Sequence, residues 1–532
     1  MDTMTKRVVK GAMLLTIAGL ISKVLSAAYR IPLQNLTGDL GFYIYQQVYP
    51  IIGTVMILSL YGFPVAISKL TVETIKENKP LTMKHFYFPL LLILFSINSL
   101  FFIFIYFASP FIAESIGDQQ LQKAFQLAAF LFLFMPFLAL LRGVFQGKEE
   151  MKQTAYSQVI EQVFRVTIII AVAYFIFTGK LELYRIGEAG VLATMTGMIV
   201  AILFLSFITW KRYKREKVMK HVNIPWRYYF YVCVSIGFIA SLNHMILILI
   251  QLADVLTLVP NLVEYGLSPI QAMESKGVFD RAQPLIQFGI VFGSSFALAL
   301  IPAVVQGMEK HQENDLYVSI QEAIAVSFYI AFGATVGLII LLPETNILLF
   351  TNTDGTRSIQ ILVLSILLTS ITITACAILQ GINQIRQPVI WICIAFLIKL
   401  VLNELLVPIW GIGGSAIATV ISLSILCSLI LTTLYKKLSG LSIFKLVNWK
   451  AFFFANGGMM IYLLLVKGLF TVKELSRLQI GVYVLFLVFS GAFIYLLLLL
   501  RYKAFTKNQL LALPFSSKIT KLEKFVERKS NR

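Results

Sequence analysis

Apolar residues are grouped along the chain into long runs that short polar connections separate. A run of about 20 apolar residues is long enough to cross a bilayer as a helix. Strands of a membrane barrel would alternate polar and apolar residues, which the run at residues 88–107 does not do. The pattern predicts an all-α polytopic membrane protein with about 14 transmembrane helices. The predicted spans are residues 9–31, 43–68, 86–108, 124–146, 155–178, 188–210, 228–252, 281–305, 317–342, 358–380, 388–408, 412–435, 450–467 and 480–501.

Composition supports this fold class and excludes two others. Of the 532 residues, 58% are hydrophobic and 13% are charged, against about 25% charged in ordinary soluble domains. This charge is too sparse to cover the surfaces of several soluble domains. Disorder is excluded as well, because disordered chains have low hydrophobicity.

The distribution of basic residues predicts the orientation. With the N-terminus in the cytoplasm, 32 of the 45 Lys and Arg residues fall on the cytoplasmic side and 9 on the other. This bias follows the positive-inside rule, so both termini are expected in the cytoplasm. The net charge of +19 is explained in the same way, and no nucleic-acid partner is expected.

Two basic segments lie outside the spans. Residues 211–227 follow the sixth span and predict a cytoplasmic linker near the middle of the chain. Residues 507–532 carry apolar positions at helical spacing among lysines and arginines. This tail is predicted either to be an amphipathic helix on anionic inner-leaflet lipids or to be disordered.

An internal repeat is indicated by matches at nearly constant offsets. Gln146-Gly147 aligns with Gln380-Gly381 at an offset of 234, and Arg165 meets Lys399 at the same offset. Transporters are often built from such duplications. We therefore expect two pseudo-symmetric six-helix lobes at residues 1–210 and 228–440, related by a parallel repeat. Two C-terminal helices at 441–506 would follow them.

Two basic residues of the first span share one helical face. Lys23 lies near its middle, and Arg30 follows seven residues later. An ionisable residue at this depth costs about 2.5–3.5 kcal/mol on insertion scales and usually faces a protein interior or a water-filled cavity. Arg30 has the alternative of extending to the outer interface, whereas Lys23 has further to reach.

Further charged residues interrupt other spans. Glu161 and Arg165 are spaced i,i+4 on the fifth span, which suits either an ion pair that fixes helix packing or a functional site. Asp254 is predicted on the same broad face of span seven as His244, and Lys399 shares a face of span eleven with Asn403. Cationic positions recur, so such an interior favours an anionic substrate, for example a phosphate-bearing lipid.

Motifs for catalysis and cofactor binding were not found in the sequence. It has no GxxxxGK[ST] motif, no HExxH motif and no clustered His or Cys at metal-ligand spacing. The four cysteines lie inside apolar runs without a CxxC pair, which is typical of buried small side chains. We therefore predict neither an enzyme nor a cofactor or metal site.

Three segments carry a resemblance to a known family. They are residues 19–25 (GLISKVL) followed by Arg30, residues 41–50 (GFYIYQQVYP), and residues 142–147 (RGVFQG). They resemble the polysaccharide and lipid II flippases, in particular the stage V sporulation protein B-like branch of the multidrug/oligosaccharidyl-lipid/polysaccharide exporter superfamily. Asp254 and Asp280-Arg281 lie where lipid II flippases carry comparable acids and an arginine.

This resemblance implies a flippase that moves an undecaprenyl-linked sugar across the cytoplasmic membrane by alternating access. Lys23, Arg30 and Arg281 would bind the diphosphate, and Asp254 would tune them. Helices thirteen and fourteen would hold the polyprenyl tail, and we expect a monomer. A drug or cation antiporter of the same fold and a non-transporting scaffold remain alternatives. The candidate substrate-binding residues are Lys23, Arg30, Glu161, Arg165, Asp254, Arg281 and Lys399.

Overall fold

The computed structural model describes residues 3–212, 224–298, 313–382, 384–438, 447–469 and 475–506. These ranges are almost entirely helical and contain no strand, which confirms the predicted all-α class. The α-helices are α1 (Thr3–Ala28), α2 (Arg30–Ile57), α3 (Phe63–Lys76), α4 (Phe88–Ile116), α5 (Gln122–Ala129), α6 (Leu131–Gly147), α7 (Met151–Phe177), α8 (Arg185–Arg212), α9 (Trp226–Val232), α10 (Ile239–Leu242), α11 (Ile246–Glu264), α12 (Pro269–Asp280), α13 (Ala282–Leu298), α14 (Glu313–Phe350), α15 (Thr356–Val363), α16 (Ser365–Gly381), α17 (Arg386–Trp410), α18 (Ile412–Lys437), α19 (Trp449–Leu469) and α20 (Arg477–Arg501).

The helices follow the predicted spans closely. Twelve helical segments of the described chain are long and apolar enough to cross a membrane. One of them, Ile17–Lys76, contains most of the first predicted span and all of the second. The predicted span at 281–305 begins as α13 and continues into residues outside the described ranges. The protein is therefore a multi-pass membrane protein.

The region of predicted span seven differs from the prediction. Its helix is interrupted between α10 and α11, and α11 continues to Glu264, beyond the predicted end at residue 252. The extension contains Asp254 and Asn261, whose polarity ended the apolar pattern. Both side chains are buried, so protein replaces lipid around them and the helix persists. The short helix α12 then occupies what was predicted to be a connection.

The chain divides into two units, Met1–Asp280 and Arg281–Arg532. In the first unit the largest helix contacts join α7 with α8, α3 with α6, and α1 with α7. Helices α11 and α12 belong to this unit because both pack on α2. The predicted lobe limits at 210 and 228 stay a prediction, as do the limits of the C-terminal segments.

Helix α2 contains one sharp break. Gly38 has φ +69° in the middle of the helical stretch, a conformation that side-chain-bearing residues rarely adopt. Among the described residues, no atom outside the local chain would lie within 4 Å of a Cβ at this position, so backbone conformation rather than crowding favours glycine. The break separates the segment that begins at Arg30 from the long apolar part of α2.

Two π-helical segments meet in the first unit. Leu58–Gly62 follows α2, and Cys233–Phe238 follows α9. A Cβ on Gly62 would lie 2.9 Å from the carbonyl oxygen of Gly237, so only glycine permits this approach. Single-turn π segments are uncommon and occur often at functional sites.

A hydrogen bond joins the end of α4 to the segment that precedes α8 in the first unit. Asp118 lies between α4 and the turn that precedes α5, and its Oδ2 accepts a hydrogen bond of 3.0 Å from the Tyr184 hydroxyl. Its Oδ1 accepts a bond of 3.1 Å from the backbone N–H of Gln120. Burial raises the pKa of Asp118 above its ordinary value, while these hydrogen bonds oppose the rise.

In the second unit, the two C-terminal helices pack on α14. Tyr495 of α20 donates a hydrogen bond of 2.7 Å to the carbonyl oxygen of Tyr329. Lys467 of α19 pairs with Glu344 at 3.0 Å. Gly333 lets the Tyr495 ring approach α14, since a Cβ there would lie 2.4 Å from the ring. An apolar core of residues from α14, α19 and α20 surrounds these contacts.

The internal repeat appears in the helix boundaries. Helices α5 and α15 both have 8 residues, and α6 and α16 both have 17. All four boundaries of α5 and α6 recur 234 residues later, and α6 and α16 both end in the predicted Gln-Gly. The chain therefore repeats the same local structure in both units.

Two other predictions, the linker core at 213–223 and the tail at 507–532, lie outside the described residues.

Candidate functional site

Helix α12 packs closely on the start of α2. A Cβ on Gly277 would lie only 2.1 Å from the backbone oxygen of Asp39, so only glycine permits this approach. One turn of α12 next to this contact carries two buried charges. Lys276 Nζ lies 2.7 and 2.6 Å from the two carboxylate oxygens of Asp280. The close packing of α12 on α2 thus places the Lys276–Asp280 ion pair beside the N-terminal part of α2.

Arg30 is the first residue of α2 and is 1% exposed. Its guanidinium carbon lies 4.1 Å from the centre of the Tyr49 ring, a cation–π contact. Tyr29 and Tyr45 adjoin it, and their hydroxyl groups contact each other. Among the described residues, Nε and Nη2 of Arg30 have no hydrogen-bond partner. The side chain thus holds a buried charge with unused donors.

Acidic residues lie close to Arg30. Asp280 interacts electrostatically with Arg30 and with Asp254 of α11. Asp254 is 2% exposed and has interactions of its own. The structure therefore brings Arg30 and Asp254, two predicted site residues, to the same buried region. Lys276 and Asp280 of α12 join them.

Arg165 approaches the same tyrosines from α7. It is fully buried, and both Tyr45 and Tyr49 interact electrostatically with Arg165 as well as with Arg30. Its guanidinium contacts Gln162 and the sulfur of Met56. We call Arg30, Arg165, Asp254, Lys276 and Asp280 the buried charge cluster. It contains three cations against two carboxylates and has a positive balance when all five are ionised.

The i,i+4 ion pair of Glu161 with Arg165, one of the two alternatives that the sequence left open, is not formed among the described residues. Glu161 instead pairs with Arg142 of α6, with 2.7 Å between Oε2 and Nη2. Arg142 also donates a bond of 3.1 Å to the hydroxyl of Ser157. The i,i+4 spacing allowed a pair with Arg165, but the packing of α6 on α7 brought Arg142 to Glu161 instead. Glu161 thus contacts α6 rather than the buried charge cluster.

Lys23 is exposed and separate from this cluster. It lies on α1 and interacts electrostatically with His244, which stacks on Tyr61 with ring centres 4.6 Å apart. Lys23 and Arg30 were predicted to share one helical face; in the structure Arg30 is enclosed and Lys23 is accessible. Tyr29, the residue between α1 and α2, has helical backbone angles, so the chain continues from Lys23 to Arg30 in a helical path.

Two predicted site residues belong to the second unit. Arg281 is fully buried, donates a hydrogen bond of 2.5 Å to Asn352 and lies over the Phe350 ring at 5.4 Å. Lys399 is also fully buried and donates bonds of 2.7 and 2.9 Å to the carbonyl and hydroxyl oxygens of Ser415. Lys399 therefore links α17 to α18.

Three charged residues of these networks, Arg142, Lys276 and Asp280, were absent from the candidate substrate-binding residues. Lys276 was assigned to a connection, although its i,i+4 spacing to Asp280 is a helical signal. Arg142 was read only as part of a motif, although an arginine inside an apolar run requires a partner. No group of three or more His, Cys, Asp or Glu side chains suited to a metal occurs in the part of the chain that the structure describes.

The buried charge cluster suits binding of an anion more than acid–base or metal chemistry. Buried guanidinium donors without partners are costly, and phosphate or carboxylate oxygens satisfy them with short charge-assisted bonds. The tyrosines add hydroxyl groups and ring faces beside the arginines. Such a set can hold a charged head group, whereas nothing in its geometry provides a nucleophile with an adjacent base.

The chain matches two family models. The model described as polysaccharide biosynthesis protein covers residues 8–308, more than half of the chain. The MatE model covers residues 277–405. These matches agree with the resemblance found in the sequence motifs.

Individual proteins are similar over most of their length. An uncharacterized membrane protein YabM of Bacillus subtilis (strain 168) is 35% identical over 96% of both chains. The lipid II flippase MurJ of the same organism is 24% identical over 78% of this chain and 80% of its own. The solved inward closed structure of a lipid II flippase MurJ aligns with a TM-score of 0.66 at 14% identity, covering 91% of this chain and 98% of that one. This last likeness shows the fold.

Proposed function

The chain belongs to the polysaccharide biosynthesis protein family of the multidrug/oligosaccharidyl-lipid/polysaccharide exporter superfamily, and on this basis we propose that it is a flippase for an undecaprenyl-linked sugar. The substrate would be lipid II or a polysaccharide precursor that crosses the cytoplasmic membrane by alternating access. The name of the similar lipid II flippase supports this substrate class. A positively balanced buried charge cluster supports an anionic head group.

One observation carries the proposal. Arg30 is enclosed at 1% exposure, and two of its guanidinium nitrogens lack a hydrogen-bond partner among the described residues. A structural arginine would satisfy these donors, as Arg142 does with Glu161 and Ser157. Donors held ready in a water-poor site favour a ligand with anionic oxygens. The diphosphate of a lipid-linked sugar has such oxygens.

In this proposal, the two carboxylates of the buried charge cluster, Asp254 and Asp280, compete with the substrate for the cations. Asp280 occupies the Lys276 ammonium at 2.6 Å, and Asp254 lies within electrostatic range of Asp280. A diphosphate would compete with these carboxylates for the cations. Binding would thereby stay reversible, which transport requires. Arg281 and Lys399 of the second unit are proposed from the sequence alone to supply further positive charge.

The drug or cation antiporter is the second candidate of the same fold. The match of residues 277–405 to the MatE model favours it. Cationic substrates would be repelled by a positive buried cluster, so we place it second. Transport of a fluorescent lipid-linked oligosaccharide against efflux of a cationic dye, both in proteoliposomes, separates the two.

The test of the flippase uses Arg30. Charge-assisted hydrogen bonds contribute about 1.5–3 kcal/mol each, so Arg30→Ala should lower expression-normalised flipping by roughly tenfold or more. Arg30→Lys should recover only part of it, because lysine offers a point charge instead of a fork. Arg185→Ala is the matched control, since Arg185 is exposed and pairs only locally with Glu188.

Three outcomes would contradict the proposal. Flipping at the level of the unmodified protein in Arg30→Ala would remove Arg30 from the substrate site. No flipping of any lipid-linked sugar by the unmodified protein, with dye efflux present, would favour the antiporter. Loss of protein level with unchanged activity per molecule would assign Arg30 to folding instead.

A further inference from the structure

A second polar group lies near the middle of the apolar segments of the first unit, apart from the buried charge cluster. Tyr61 and His244 stack with ring centres 4.6 Å apart and an interplanar angle of 22°. Lys23 of α1 interacts electrostatically with His244. A Cβ at Gly19 would lie 3.6 Å from the Tyr61 hydroxyl oxygen and 3.9 Å from the amide nitrogen of Gln158. Residues of α1, α7, the π-helical segment Leu58–Gly62 and the break between α10 and α11 therefore converge here.

The backbone at this place is unusual for a membrane protein. The helix of predicted span seven is broken at residues 243–245, between α10 and α11, near the middle of an apolar segment. Tyr61 itself lies in the π-helical segment Leu58–Gly62. Interrupted helices are tolerated at bilayer depth only where protein or a water-filled cavity replaces lipid, and transporters use such breaks in their binding sites.

The exposure of Lys23 and His244 indicates that these side chains line a cavity and do not face lipid. Lys23 and His244 are both exposed, although each lies near the middle of its apolar segment. His244 is nevertheless desolvated by surrounding protein atoms. A lysine facing hydrocarbon at this depth would be costly. Water in a protein cavity explains the accessibility of both side chains and the enclosure of His244.

One further side chain lacks a partner. Asn243 precedes His244 at the helix break and is 5% exposed. Among the described residues, neither its amide nitrogen nor its amide oxygen has a hydrogen-bond partner. A buried amide with both groups unused calls for a ligand or water. It offers one donor site and one acceptor site side by side.

We propose that Lys23, Tyr61, Gln158, Asn243 and His244 form a carbohydrate subsite, which rests on the proposed flippase function and identifies where the sugar is held. The aromatic stack suits the apolar face of a sugar ring, and the amides suit its hydroxyl or acetamido groups. Lys23 precedes Arg30 by seven residues, about 10 Å along a helix. A short glycan attached to a diphosphate at Arg30 spans this distance.

The test compares two lipids on the purified full chain in detergent. One is undecaprenyl diphosphate, and the other is the same lipid carrying N,N′-diacetylchitobiose. The unmodified protein should bind the glycosylated lipid at least about tenfold more tightly. Tyr61→Leu and His244→Leu should each remove most of this preference and leave affinity for the bare lipid within about twofold. Arg30→Ala should weaken binding of both lipids.

Conservative variants guard against misfolding. Tyr61→Phe and His244→Phe keep the aromatic stack and should retain most of the preference, with thermal unfolding unchanged. Tyr174→Leu replaces an aromatic residue of α7 that is 55% exposed and should retain all of it. If the leucine variants unfold at a lower temperature and the phenylalanine variants do not, Tyr61→Phe and His244→Phe are each combined with Asn243→Leu. These combined variants keep the aromatic stack and should lose the preference for the glycosylated lipid.

The results distinguish the subsite from the function on which it depends. Equal binding of both lipids by the unmodified protein would overturn the subsite and leave the flippase proposal standing. The same holds for a preference that survives Tyr61→Leu, His244→Leu and Asn243→Leu. If the unmodified protein binds and flips neither lipid, the flippase proposal fails and the subsite fails with it.

Discussion

The Arg142 guanidinium and the Glu161 carboxylate form an ion pair of 2.7 Å that joins α6 to α7. Their side chains are 1% and 7% exposed, so neither charge has water as an alternative partner. Ser157 accepts the Nε–H of Arg142 at 3.1 Å. The pair is therefore buried with its main donors satisfied, which is the arrangement of a structural contact.

Breaking this pair from one side should destabilise the protein strongly. Arg142→Met or Glu161→Leu alone leaves an unpaired buried charge, at a cost of about 3–5 kcal/mol. The double substitution should recover most of this loss, because no buried charge remains. Thermal unfolding with a thiol-reactive dye measures the effect, since Cys233, Cys376 and Cys427 are buried and react on unfolding. Equal stability of the two single variants and the unmodified protein would contradict the prediction.

The approach of α12 to α2 should depend on Gly277. Gly277→Ala places a Cβ 2.1 Å from a backbone oxygen that cannot move without shifting α2. We expect a stability loss of about 1–3 kcal/mol, typical of overpacking, together with weaker binding of undecaprenyl diphosphate as Lys276 and Asp280 move. Gly457→Ala is the control, because in the part of the chain that the structure describes no atom outside the local helix lies within 4 Å of a Cβ there. A loss of the same size in Gly457→Ala would show that the contact with Asp39 is not responsible.

Asp118 should make stability depend on pH. Burial raises the pKa of its carboxyl above 3.8 in the folded protein, so protonation is favoured by folding. This contribution is full below pH 3.8 and is lost as pH rises through the raised pKa. Asp118→Asn cannot ionise; it keeps an oxygen for the Gln120 N–H and places an NH2 group that can donate to the Tyr184 hydroxyl oxygen. The unfolding temperature of the variant relative to the unmodified protein should therefore increase as pH rises above 3.8. A constant or decreasing difference would contradict the raised pKa.

The orientation predicted from basic residues can be tested by cysteine labelling. A cysteine at Lys214, which lies outside the described residues, should be labelled only from the cytoplasmic side in a chain otherwise free of cysteine. A cysteine at Lys180, in an opposite connection, should react from outside. The physical reason is the positive-inside bias. External labelling at position 214 would reverse the orientation.

The helices were predictable because lipid imposes a simple rule. A segment that crosses hydrocarbon must be apolar over its whole length, so spans such as 155–178 and 412–435 correspond closely to α7 and α18. The rule fails where protein replaces lipid. The extension of α11 beyond Asp254 and the short helix α12 are buried in the first unit, and their polar residues looked like connections.

The candidate site was only partly predictable for a related reason. An arginine inside an apolar run, such as Arg30, signals a buried or cavity-facing role regardless of its neighbours. The identity of the partner depends on which helices pack together, and sequence spacing does not determine this. Glu161 was therefore assigned to Arg165 when α6 supplied Arg142. The stack of Tyr61 on His244 joins residues 183 positions apart, and single-sequence periodicity contains no signal for it.

The repeat at 234 residues contains a natural double substitution. The positions that correspond to Arg142 and Glu161 in the second copy are Cys376 and Ala395, both buried and both uncharged. Over the same duplication, Arg165 corresponds to Lys399, so this cation is retained. The two copies thus differ in the whole charge pair and in neither member alone. One copy has both charges and the other has neither, the pattern expected when either charge alone is destabilising.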